Sequence, residues 1–206
     1  MALNRLRRAS QRAVSPATPG PTQLRSQVDT ALRVGFQTYD EVLADALATD
    51  RVNGRAVVDE LWDARLEEQA GWPQTTDSDR LASAFLRLEQ SDVITRTATG
   101  CCRRCPHWEI AEEAGPATTK RGYVFFPVSA VSDLLTGSLE LSFGTLGTAS
   151  GMWDRSGYDH ATLALGEEIV LALRRAGLVA GWAGDPPRTL VLAGLDWKRR
   201  LAPRPS

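Results

Sequence analysis

Residues 100–109 read GCCRRCPHWE and hold all three cysteines of the chain and one of its two histidines. Cys102 and Cys105 stand at the Cys-x-x-Cys spacing that lets two thiolates share one metal ion from a tight loop. A tetrahedral zinc site needs two more ligands. Cys101 and His107 are near in sequence, and His160, at the start of a long helix, would have to arrive through the fold. The candidate metal ligands are therefore Cys101, Cys102, Cys105, His107 and His160, with zinc as the ion. A second Cys-x-x-Cys is absent, which weakens the zinc reading.

A redox reading stands beside it. Pro106 fits the first position of a helix carrying His107 to Ala114, which puts Cys105 near the N-cap. A helix N-terminus lowers a thiol pKa, and Arg103 and Arg104 act in the same direction. Thioredoxin-like sites, however, carry their second cysteine inside the helix, and here both are expected to precede it. The plainest reading is that Cys101 or Cys102 follows a strand into the core as a small hydrophobe, with Cys105 half exposed. Spacing alone leaves all three readings open.

Other constellations are thinner. Asp159 and His160 with Asp154 or Ser156 could be drawn as a triad, but no Gly-x-Ser-x-Gly elbow accompanies them. Glu112–Glu113 and Glu167–Glu168 are paired carboxylates on expected helices, where sequence neighbours point about 100° apart and face solvent. Gly144, Gly147 and Gly151 lack the spacing and the lysine of a phosphate loop. Trp153 is expected to pack back on the body, with an exposed anchor for a partner as the alternative, and Trp197 is expected to be buried before a solvated Lys198–Arg200 end. No catalytic set is complete, so the residues point to binding of a protein or small-molecule partner rather than to an enzyme.

The elements that must carry these residues follow from periodicity. Leu24, Val28, Leu32 and Phe36 recur at helical spacing, with a break at Gly35. Thr38 and Glu41 form a capping box for a helix from Tyr39 to about Thr49, burying Val42, Leu43, Ala46 and Leu47. A third helix buries Val57, Val58, Leu61, Trp62 and Leu66 and stops at Gly71 and Pro73. Asp77 or Ser78 caps a fourth that buries Leu81, Ala84, Phe85 and Leu88. Then the pattern changes. Val93–Thr97, Gly122–Phe126 and the alternating Leu139–Phe143 are strands, the last buried on one face. A helix from about Asp159 to Ala176 ends at Gly177, and strands Leu178–Trp182 and Thr189–Leu192 close the series.

The fold class is α+β: N-terminal helices followed by a mainly antiparallel β-α-β-β-α-β-β sheet with the long helix on one face. The expected organisation is a disordered basic leader over 1–21, a helical part over 22–91, an α+β part over 92–200 packed with it as one unit, and a disordered tail over 201–206.

With 206 residues, 43% of them hydrophobic, the chain can bury a core without disulfides. Its net charge of −1 conceals an asymmetry. Eight of the 24 basic residues lie in residues 1–21 and 198–206, which carry no acid, leaving 16 against 25 acidic residues between them. An acidic body argues against a nucleic-acid surface. The sequence has no apolar run of membrane-spanning length. The leader is Arg- and Ser-rich like a transit peptide but has no secretory h-region. Three cysteines, odd and sparse, suit a reducing cytoplasm.

Cys-Cys-x-x-Cys with Glu109-Ile110, then Gly122-Tyr-Val-Phe-Phe126, the strand Leu139–Phe143 and a closing Asp196-Trp197-Lys-Arg-Arg200 together resemble a bacterial domain-of-unknown-function family, the one numbered six-eight-nine-one. The resemblance spans about Leu24 to Leu201. It implies an actinobacterial-type cytoplasmic protein with no assigned activity. Two departures stand out: Pro106 replaces the family's glycine after the third cysteine, and Pro127-Val-Ser-Ala130 replaces a His-Gln-Gln-Asp-like run. If that run supplies a ligand or proton-transfer group in relatives, this chain lacks it.

Overall fold

The structure, a computed structural model, describes residues 21–102, 104–116, 118–146, 155–184 and 189–205. Apart from Pro21, the expected leader lies outside them, as do Trp153 and Asp154. Four helices come first: α1 (Pro21–Val34), α2 (Tyr39–Thr49), α3 (Gly54–Ala70) and α4 (Asp77–Gln90). Local chemistry sets their ends. Gly35 takes a φ of +75°, a left-handed turn that costs glycine little, and α1 stops there. The Thr38–Glu41 capping box forms, with the Thr38 N–H donating to the Glu41 carboxylate at 2.7 Å. For α4 the cap is Thr76, not Asp77 or Ser78 as the sequence suggests. Thr76 and Asp79 make a second reciprocal box, which leaves Asp77 free to bind Arg80 and the Asp196 N–H.

After these helices come β1 (Val93–Arg96), α5 (Cys105–Ala114), β2 (Gly122–Phe125), a 3₁₀ helix (Val128–Thr136), β3 (Ser138–Thr145), α6 (Arg155–Arg175), β4 (Val179–Gly181) and β5 (Thr189–Ala193). The α6 end is a Schellman motif. Gly177, at φ +86°, donates to Arg174 O, and Leu178 N–H reaches back to Leu173 O.

The strands form one sheet in the order β1-β2-β3-β5-β4. The fold is α+β, as expected, but the sheet is mixed. Three pairings are antiparallel and β1–β2 is parallel. The reason is α5: a strand–helix–strand crossover returns the chain to the sheet in its original direction. Both faces are therefore covered around β2, and all four of its residues are buried. Val124 joins the main core with α4, β3, β5 and α6, while Tyr123 and Phe125 pack with Ile110 of α5 and Leu146 on the other side. Leu139, Leu141 and Phe143 alternate inward as their spacing predicts.

A second core lies among α1, α2 and α3, around Trp62, Tyr39 and Leu24. On the inner face of α3, Val58 and Trp62 are buried, but Val57, Leu61 and Leu66 only partly so; Arg65 takes the buried place. The two cores are tied by the C-terminal segment. The Trp197 indole, 7% exposed, stacks on Phe36 and donates to Val34 O at 3.0 Å. The Arg199 guanidinium lies over the Phe36 ring, and its Nε donates to Gly35 O.

The Lys198–Arg200 stretch is thus not a solvated end. Leu201 completes the helical core, and burying such a side chain is worth about 1.5–3 kcal/mol. Gln69 accepts the Leu201 N–H at 2.7 Å, and Arg204 reaches Asp59 at 2.9 Å. Among the described residues no helix is long and apolar enough to cross a membrane.

Candidate metal centre

The cysteines sit on the crossover between β1 and α5. Two backbone turns put them there. Ala98 and Gly100 both have positive φ, at 48° and 62°. The loop is pinned to the end of β2 by Thr99 N–H to Phe126 O and by Val128 N–H to Gly100 O, each 3.2 Å. A Cβ on Gly100 would stand 2.6 Å from Cγ of Pro106, so only glycine fits. Pro106 is buried in the first turn of α5, where a missing N–H costs nothing. The chain reverses between these two residues, and the reversal folds Cys101 and Cys102 back over Cys105.

The sulfurs gather. Cys101 Sγ lies 3.5 Å and Cys102 Sγ 3.6 Å from Cys105 Sγ, and all three are within 4.8 Å of one another. All are free thiols; Cys101 is exposed and the other two are half-buried. The expectation that Cys101 or Cys102 enters the core is overturned, because the left-handed turns at 98 and 100 carry the chain outward before the cysteines arrive. Cys105 is also the first residue inside α5 rather than a residue before it.

The charges divide unequally. Cys102 accepts the backbone N–H of Cys105, and then that of Arg104, which lowers its pKa to about 7. These are donors of the α5 N-terminus with no partner inside the helix, and they favour a thiolate. Cys105 is pushed up to about 11, first by its hydrogen bonds to Cys101 and Cys102 and then by their negative charge. The thiolate therefore forms on Cys102 first, as pH rises through about 7, while Cys105 keeps its proton.

The histidines are placed elsewhere. His107 Nδ1 hydrogen-bonds the Tyr123 hydroxyl at 2.7 Å, and its ring packs edge-on against Phe125 at 4.9 Å and Tyr123 at 5.4 Å. It fastens α5 to β2 and is not gathered with the sulfurs. His160 is exposed on α6. The side chains of Ser156 and Asp159, together with Gly147 and Gly151, lie outside the described residues, as Asp154 does. Glu113 pairs with Arg96 at 2.7 Å and Glu168 with Arg121 at 2.9 Å, so each carboxylate pair is engaged in surface ion pairing through one member. Sequence reasoning missed Gly100 and Tyr123. The Gly before Cys-Cys was the only signal for the first, and nothing local marks the second. It also missed Trp108, which stands 80% exposed on α5, three residues after Cys105.

Fold and site define an α+β domain with a surface trio of thiols at a helix N-terminus. Residues 20–201 match the family described as domain of unknown function DUF6891, and the chain belongs to that family. No curated protein and no solved structure matches it.

Proposed function

We propose that the chain is a metal-binding module that holds zinc on Cys101, Cys102 and Cys105. The observation that carries this reading is the spacing of the sulfurs. Zinc–thiolate bonds of about 2.3 Å at tetrahedral angles set ligand sulfurs about 3.8 Å apart. The separations of 3.5 and 3.6 Å are close to that edge and well beyond the bond length of about 2.05 Å in a disulfide. Soft thiolates select zinc over hard cations. Cys101 is exposed, so the fourth position opens to solvent, where water or a partner's side chain completes the set. His107 then acts behind the ligands by holding α5 against β2. Ligating groups gather here without an acid/base pair among them, which supports binding rather than catalysis. Three thiols this close would oxidise outside a reducing compartment, which supports the cytoplasm.

The test is the metal content of protein purified under reducing conditions and supplied with zinc. One zinc per chain is expected, lost in Cys102→Ser and Cys105→Ser, with a thiolate-to-metal charge-transfer band when cobalt replaces zinc. Absence of both bound zinc and the cobalt band overturns the reading.

A further inference from the structure

We propose that the three cysteines also form a complete site for a trivalent metalloid, arsenic taken from arsenous acid and held by one bond to each of Cys101, Cys102 and Cys105. The inference goes beyond the zinc reading and does not rest on it, because it uses the same sulfurs but needs no fourth ligand.

The ligand count carries it. Trivalent arsenic forms three bonds and keeps a lone pair, so three sulfurs at the base of a pyramid satisfy it. Tetrahedral zinc needs a fourth donor. The centre offers three. Two of its edges measure 3.5 and 3.6 Å, and the third lies within 4.8 Å. Among the described residues no histidine or carboxylate joins the group. His107, the nearest candidate in sequence, has its Nδ1 bonded to Tyr123. Cys101 is exposed, so turning its side chain shortens the third edge with no core to repack.

Access and rigidity point the same way. Exposed Cys101 can take the first bond from solvent, and half-buried Cys102 and Cys105 then close the other two as intramolecular steps. The loop is held before the ligand arrives, by Thr99 N–H on Phe126 O, Val128 N–H on Gly100 O and Pro106 packed against Gly100. Little chain remains to be ordered on binding. Arsenous acid is small and uncharged, so the site needs neither a cavity nor a countercharge.

The steps balance. Each one replaces an As–O bond with an As–S bond, and the thiol proton leaves with the departing hydroxyl as water. Arsenic stays trivalent throughout, so no oxidant or reductant enters. Three thiols and one As(OH)₃ yield one arsenic trithiolate and three waters.

The experiment titrates full-length, metal-free protein, reduced with a phosphine, with sodium arsenite. Native mass spectrometry reads the adduct, and X-ray absorption at the arsenic edge identifies its neighbours. The expected wild-type adduct carries one arsenic per chain in place of three hydrogens, with three sulfur neighbours and no oxygen. Cys101→Ser, Cys102→Ser and Cys105→Ser should each weaken binding by about 10²–10⁴-fold, the loss of one linked attachment, and leave a hydroxyl on the arsenic.

The absence of an adduct overturns the inference. So does a wild-type adduct that keeps a hydroxyl on arsenic, or any of the three serine variants binding as tightly as wild type. Zinc uptake is measured on the same protein. Bound zinc without an arsenic adduct removes this inference and leaves the zinc reading, whereas a three-sulfur arsenic adduct in protein that takes up no zinc does the reverse.

Discussion

The backbone N–H of Cys105 donates to the sulfur of Cys102, and the two sulfurs stand 3.6 Å apart. One residue thus stabilises its neighbour's anion with its backbone while keeping its own side chain protonated. The asymmetry follows from position: Cys102 faces the open N-terminal donors of α5, whereas Cys105 faces two other sulfurs.

This division predicts site-specific labelling. In metal-free protein, alkylation of Cys102 by iodoacetamide should rise through a midpoint near pH 7, where its pKa lies, and level off above it. Cys105, at about 11, should label slowly throughout the neutral range. Mass spectrometry of each cysteine across a pH series checks this. A Cys102 midpoint at the ordinary thiol value of about 8.5 would remove the asymmetry.

Zinc and protons compete for the same sulfurs. Because Cys105 is protonated at neutral pH, zinc binding should release at least one proton per ion, measurable by calorimetry in buffers of different ionisation enthalpy. Affinity should climb with pH and fall further below about 7, where Cys102 also takes up a proton. A pH-independent affinity contradicts the assignment of these ligands.

Gly100→Ala should disturb the centre more than a glycine substitution of equal backbone cost. Gly100 and Gly194 have similar φ, 62° and 67°, but a Cβ at 194 meets nothing within 4 Å. Each change forces a left-handed alanine, costing about 1–3 kcal/mol. Only the change at 100 drives a Cβ into Pro106 and should displace the cysteines. Thermal unfolding with zinc titration of both variants separates backbone strain from site distortion, and equal zinc affinities would refute the packing argument.

Trp197→Ala should destabilise the protein by about 3–5 kcal/mol, since it empties the space between the two cores. Trp197→Phe keeps a ring on Phe36 but orphans Val34 O, for a loss of about 1 kcal/mol. Urea unfolding of the pair measures both. A Trp197→Ala loss under about 1 kcal/mol would mean that the C-terminal segment does not brace the cores.

Acid should loosen the helical part through Asp59. Its carboxyl is held below its ordinary pKa, first by the Tyr39 hydroxyl at 2.5 Å and also by Arg204. A carboxylate with a lowered folded pKa adds stability above its unfolded value of about 3.9 and loses it as pH falls through the folded value. Asp59→Asn should therefore cost stability at neutral pH and flatten the decline of Tm below about pH 4. An unchanged acid limb in Asp59→Asn would assign the decline to other carboxylates.

How far the amino-acid order alone reaches depends on how local each feature is. The α2 limits follow from Thr38 and Glu41, three residues apart, and the inward face of β3 from alternation within five residues. The Cys-x-x-Cys spacing and the N-terminal proline of a helix were equally plain. Within one turn of chain, sterics and a few hydrogen bonds decide the outcome.

Other features depend on residues that sequence distance hides. The parallel β1–β2 pairing needs α5 to cross one face, and Arg65 is buried on α3 because Trp72 lies 4.5 Å from its guanidinium and Glu68 pairs with it at 2.6 Å. Trp197 finds Val34 across 163 positions, and the tail meets α3 because Leu201 packs into the helical core and Gln69 bonds its backbone. The cysteines show both halves. Their order supplied three thiols and the start of a helix. Their convergence at the surface came from Pro106 packing against Gly100 and from the loop's hydrogen bonds to Phe126 and Val128. Only chain closure in three dimensions brings those groups together.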